Sequence, residues 1–149
     1  MITTRANKYI INIAALLFIS CGKITDTPDG CVVSFIVACE EHDMSKAWDM
    51  LGAEAQSYYN GLGEKQRRSG KGALENDIKK IKRFRNVKKD YKIVKDKENP
   101  DLIKIMLIGG QEFNVATANE NGSYRIKDEN SVKNLLNGIT AELEKGNGY

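Results

Sequence analysis

Residues 91–126 read YKIVKDKENPDLIKIMLIGGQEFNVATANENGSYRI, and the period of this stretch decides the fold. Tyr91, Ile93 and Val94 mark one strand. Leu102 to Ile108 is a second, with Lys104 as its only charge, and Gly109-Gly110 reads as a turn. Phe113, Val115 and Thr117 alternate on a third strand, Tyr124 and Ile126 on a fourth. Alternation of apolar and polar residues marks a strand with one face buried. Asn121-Gly122 signals a hairpin, because its tight turn needs φ > 0 at both positions. Consecutive strands with short links make an antiparallel meander.

Upstream the period is helical. Thr27-Pro28 starts a helix, with a capping hydroxyl followed by Pro where the missing N–H does no harm. Val32, Phe35, Ile36 and Cys39 recur at i, i+3, i+4 and i+7, and Val33 and Val37 widen the stripe. Glu40-Glu41-His42-Asp43 ends this helix. Asp43 is placed to cap a second helix, striped by Ala47, Trp48, Leu51 and Ala55, which gives a helical hairpin. Gly61, Gly63, Gly70 and Gly72 among polar and basic residues read as a loop over 60–72. Neither Gly61-Leu62-Gly63 nor Gly70-Lys71-Gly72 is a phosphate-binding motif. A third helix carries Leu74, Ile78, Ile81 and Phe84 inside, with Lys79, Lys80, Lys82 and Arg83 outside. After the meander, Val132, Leu135, Leu136, Ile139 and Leu143 stripe a last amphipathic helix, and residues 146–149 fray. Helices first, then a curled antiparallel sheet, is an α+β plan.

The whole chain has 149 residues, enough for one domain at roughly 100–200 residues each. With 41% hydrophobic and 29% charged residues it is neither disordered, collagen-like nor a multi-span membrane protein. His42 is the only histidine, which excludes His-based metal clusters and most catalytic triads. No metal-ligand spacing and no cofactor motif is present.

The first residues carry an address. Arg5 and Lys8 precede Ile10 to Ile19, a stretch apolar but for Asn12, and Ser20 and Cys21 follow. This is the layout of a secretory signal over 1–20. It is too short to span a bilayer, which takes about 20 apolar residues. Leu17-Phe18-Ile19-Ser20-Cys21-Gly22 resembles the lipobox of bacterial lipoproteins, with Phe18 where Leu is usual. The resemblance implies cleavage before Cys21, a diacylglyceryl thioether on Cys21, and a polar tether over 21–28. Each buried acyl CH2 contributes about 0.8 kcal/mol, so two or three chains anchor firmly. The implied location is the bacterial cell envelope. Gly22, rather than the Asp that retains some lipoproteins at the inner membrane, points to the outer membrane or surface. Cys31 and Cys39 lie eight residues apart on one helix, about 12 Å of axial rise. A disulfide needs Cα atoms within about 7 Å, so both read as free, buried thiols.

A second resemblance rests on Thr27-Pro28, Val33-Ser34-Phe35, His42-Asp43, Ala47-Trp48-Asp49-Met50-Leu51 and Gly122-Ser123-Tyr124-Arg125-Ile126. Over roughly 27–128 the chain resembles the nuclear-transport-factor-2-like (cystatin-like) superfamily, and within it the lipoprotein-borne domains of unknown function. That resemblance implies a cone whose sheet wraps the helices around a pocket. The expected division is a cone-like domain over 29–128 and an added helix and tail over 129–149.

Some members of that superfamily are isomerases or dehydratases with an Asp or His in the pocket. Such chemistry needs an ionisable group of shifted pKa against an apolar wall. His42, beside Glu40, Glu41 and Asp43, reads as a solvated link residue. Tyr58, Tyr59 and Asp77 are the candidates for the pocket, and no catalytic residue is assigned. Residues 61–97 hold fourteen Lys and Arg against five Asp and Glu, while the rest of the chain is net acidic. Lys79, Lys80, Lys82, Arg83, Lys88, Lys89 and Lys92 are the candidate basic face. On a tethered domain this face suits anionic headgroups, another anionic envelope component or a protein partner. An exported location argues against nucleic acid. The reading is a non-enzymatic, lipid-anchored binding or scaffold domain, with a small pocket enzyme of the isomerase or dehydratase kind as the alternative.

Overall fold

The computed structural model describes residues 25–86 and 89–142. The signal over 1–20, Cys21 with the tether to residue 24, Val87, Lys88 and the tail from Leu143 to Tyr149 lie outside the described residues. Four helices come first: α1 (Pro28–Glu40), α2 (Met44–Asp49), α3 (Ala53–Gln66) and α4 (Gly70–Lys79). Strands β1 (Tyr91–Lys95), β2 (Leu102–Leu107), β3 (Glu112–Glu120) and β4 (Ser123–Ile126) follow, then helix α5 (Glu129–Ile139). The strands form one curled antiparallel sheet in the order β1-β2-β3-β4, so the architecture is α+β.

Each helix start has a chemical cause. Thr27 Oγ1 accepts from Gly30 N–H at 3.2 Å, and Pro28 stands where its absent N–H costs nothing. Asp43 caps α2 through Lys46 N–H at 3.1 Å, Ser69 caps α4 through Gly72 N–H at 3.0 Å, and Asp128 caps α5 through Ser131 N–H at 2.8 Å. Helix α3 begins at Gly52, which has no side chain to offer. Its first N–H, from Ala53, is accepted by Glu120 Oε1 of β3 at 2.9 Å. In the β3–β4 turn Asn121 and Gly122 have φ of 54° and 87°, as its sequence requires.

The sheet's inner face meets α1. Ile103, Ile105 and Val115 are fully buried, as are Val32 and Phe35 of α1. Burying one such side chain contributes about 1.5–3 kcal/mol. Residues 112–116 of β3 pair with β2, and residues 117–120 pair with β4. The first half of β3 would thus have an open edge, a ready template for aggregation. Helix α5 covers it: Ser131 Oγ accepts Ala116 N–H at 2.8 Å, and Asn134 Nδ2 donates to Asn114 O at 2.9 Å. Val132, Leu135 and Ile139 of α5 are fully buried in the same core as the helices and sheet.

Three expectations from the sequence are corrected. Ala47, Trp48, Leu51 and Ala55 do not share one helix, because the chain breaks between α2 and α3. At the break Leu51 bridges Ile126, and Gly52 N–H donates to Ile126 O at 2.8 Å. Residues 60–72 are not one loop: α3 continues to Gln66, Arg67 ends it at φ 56°, and α4 starts at Gly70. Two of the glycines there, Gly63 and Gly70, permit close packing. A Cβ on Gly63 would lie 2.7 Å from Arg68 O, and one on Gly70 would collide with Asn60 and Trp48. Finally, Ile81, Lys82, Arg83 and Phe84 lie beyond the end of α4, on an irregular link where Phe84 bridges Thr140. Within the expected tether, Thr25 O accepts Tyr124 N–H of β4 at 2.8 Å, ahead of the first helix.

Candidate functional site

The three pocket candidates come together. Helix α3 turns Tyr59 inward, fully buried, while Tyr58 stays half-buried beside it. The two rings meet edge to face, centroids 5.2 Å apart. Tyr59 Oη donates to Asp77 Oδ2 at 3.1 Å, and Lys80 Nζ donates to Asp77 Oδ1 at 2.8 Å. Burial pushes the Tyr59 hydroxyl far above its ordinary range, and the Asp77 carboxylate adds to the shift. This cluster borders a groove of about 370 Å³ between α4 and α5. Asp77, Lys80 and Ile81 line one wall, and Lys133, Leu136, Asn137 and Thr140 line the other.

Lys133 was not singled out by the sequence, yet it closes the site. It pairs with Glu129 one turn earlier, and its Nζ stands 5.1 Å from the centroid of the Tyr58 ring. The i, i+4 spacing of Glu129 and Lys133 was the available signal. What it could not show is that residues from α3 and α5 converge. The groove therefore has an apolar floor at Ile81 and Leu136 and a rim of two ion pairs. It suits a small amphiphilic molecule. Both oxygens of Asp77 are already hydrogen-bonded, which leaves the carboxylate poorly placed to take a proton from a substrate.

A second concavity, of about 480 Å³, opens beside the tether and is lined by Thr25, Asp49, Gln56, Glu120 and Arg125, among others. Cys31 lies behind it, with its Sγ donating to Met50 O at 3.9 Å. Burial pushes the Cys31 thiol up to about 12 against the opposing pull of Arg125. Burial likewise pushes Cys39 up to about 12. Both thiols are free and buried, and neither has the lowered pKa that reactivity needs. Among the described residues, no group of three or more His, Cys, Asp and Glu could hold a metal ion.

The basic residues gather at one end of the molecule rather than on one helix face. Lys79 and Lys80 close α4, paired with Glu75 and Asp77 at 2.8 Å each. Lys82 and Arg83 follow on the link, Lys89 stands in the turn before β1, and Lys92 projects from β1. Lys88 lies outside the described residues. The link crosses the end of α5, where Arg85 N–H donates to Ile139 O at 2.8 Å. Helix C-termini carry partial negative charge, which nearby cations offset. His42 is exposed on the α1–α2 link with φ 55°. The other end of the molecule holds the start of α1, where Asp29 pairs with Lys95 at 3.1 Å.

Among the described residues, no helix is long and apolar enough to cross a membrane. Comparison with protein-family models, curated proteins and solved structures gives no match, so residues and geometry carry the functional reading.

Proposed function

We propose that this protein is a lipid-anchored cell-envelope domain that binds a ligand or partner without catalysing a reaction. The observation that carries the reading is the Leu17 to Gly22 pattern, placed just ahead of the folded domain. Thr25, four residues after Cys21, is already hydrogen-bonded to β4, so a lipid on Cys21 would hold the domain close to the bilayer. The groove between α4 and α5 supplies a binding site of small-molecule size, at the lower end of about 300–1,000 Å³. Phase partitioning in detergent tests the anchor. The native protein is expected in the detergent phase and Cys21→Ala in the aqueous phase, and equal partitioning would sink the reading.

One observation favours a second reading, a pocket enzyme of the isomerase or dehydratase kind. Asp77 borders the groove beside Ile81 and Leu136, a carboxylate near an apolar wall, which is the setting such chemistry needs. Proton exchange into a carbonyl compound, abolished by Asp77→Asn but kept in Lys133→Ala, would favour the enzyme.

A further inference from the structure

We infer that the outer face of the β1–β2 hairpin rests on an anionic membrane surface and holds the tethered domain flat against it; this rests on the anchor reading above. Among the described residues, the exposed large apolar side chains are Val33, Val94, Met106 and Ile108. Three of them share one face. Alternation turns Tyr91, Ile103, Ile105 and Leu107 into the core, which leaves Lys92, Val94, Lys104 and Met106 outside. Ile108 follows at the turn, 76% exposed. The strand register sets Lys92 opposite Met106 and Val94 opposite Lys104, whose Nζ also pairs with Asp96 at 3.5 Å, so Met106 and Val94 each have a lysine beside them. Helix α5 packs on the opposite side, with Gly138 against Phe113 and Ile105.

The chemistry selects the occupant. An anionic polymer would engage Lys92 and Lys104 but give Val94, Met106 and Ile108 nothing apolar to enter. A second copy, face to face, would set these lysines against their own kind. A bilayer rich in anionic lipid offers headgroups to the lysines and an apolar medium to the side chains between them. The tether makes such a weak face sufficient. Asp29 at the start of α1 pairs with Lys95 at the end of β1, so the turn of the hairpin lies at the tethered end, while Ile108, whose N–H donates to Asp90 O at 3.0 Å, lies at the other end of the same face. The span from Cys21 to Thr25 reaches at most about 14 Å when extended, which confines the face near the bilayer at high effective concentration.

The test uses the native protein in vesicles of phosphatidylcholine, with or without phosphatidylglycerol. A fluorophore is placed on Ile108→Cys, or on exposed Ser57→Cys of α3 as the control. Cys31 and Cys39 are buried and stay unlabelled. With phosphatidylglycerol present, brominated acyl chains are expected to quench the label at 108 several-fold more than the label at 57. Adding Met106→Glu and Lys92→Glu to the labelled chain should erase the difference. Equal quenching at both positions overturns the inference. So does self-quenching between labels at 108 without lipid quenching, which would assign the face to a second copy. Intact mass on the same sample keeps the two readings apart: an unacylated chain overturns the anchor, and quenching at 108 then judges the face on its own.

Discussion

Tyr59 and Tyr91 are both buried, and the difference between them is a partner. The Tyr59 hydroxyl donates to Asp77, while the Tyr91 hydroxyl is buried without a hydrogen-bond partner among the described residues. A net hydrogen bond is worth about 0.5–1.5 kcal/mol, and more when its acceptor is charged. Tyr59→Phe should therefore lower stability by about 1–2 kcal/mol in urea unfolding, whereas Tyr91→Phe should leave it unchanged or raise it. The two thiols lead the response to alkali, since Tyr59 and Tyr91, also raised by burial, start from a higher ordinary value. The ordinary pKa of the thiols is 9.0, and burial carries both to about 12 in the folded chain. Below about pH 9 they are protonated whether the chain is folded or unfolded, so their contribution is complete there. As the pH rises from there towards about 12, only the unfolded chain loses these protons. Stability then falls by up to about 1.4 kcal/mol per pH unit for each thiol. Unfolding at about pH 8 and about pH 10 checks this, and Cys39→Ala should roughly halve the thiol part of the fall. The spacing of Cys31 and Cys39 already excluded a disulfide. Tyr58, Tyr59 and Asp77 were each legible as candidates, but their meeting with Lys133 was not, because no local pattern reports a contact between residues 75 positions apart.

At the scale of elements, the strands were legible and the helix boundaries were not. Period-two alternation and Asn121-Gly122 follow from local geometry, and the register sets Ile93 opposite Ile105 in the inner layer. The break between α2 and α3 has a distant cause, the pairing of Leu51 and Gly52 with Ile126. The glycines of 60–72 mislead for a related reason: some serve close packing, which only the partner element reveals. Gly61 and Gly63 separate the two roles. A Cβ on Gly61 meets nothing within 4 Å, and Gly61 lies inside α3. Gly61→Ala should stabilise the fold by about 0.5–1 kcal/mol. Gly63→Ala drives a methyl against Arg68 O and should destabilise it by about 1–3 kcal/mol. Opposite shifts in thermal midpoint are the expected result. Ser131→Ala would strip the acceptor from Ala116 N–H on the open edge of β3, at a cost of about 1–3 kcal/mol. Hydrogen exchange at Ala116 should rise in that variant ahead of exchange in β2.

The whole molecule has two chemically different ends, joined by the outer face of the β1–β2 hairpin. The tethered end carries Thr25, Asp29 and the mouth of the larger concavity. The far end gathers Lys80, Lys82, Arg83 and Lys89 where α4 and α5 finish. The charge imbalance of residues 61–97 was legible as composition, but its placement at one end depends on how the link from α4 crosses α5. The central claim is the anchor on Cys21, since both the envelope location and the reach of the hairpin face follow from it. The most direct measurement is the intact mass of the native protein taken from its host membrane, beside Cys21→Ala. The account predicts a chain that has lost residues 1–20 and gained acyl mass on Cys21, with neither change in the variant. A native mass equal to the unprocessed, unmodified 149-residue chain would contradict it.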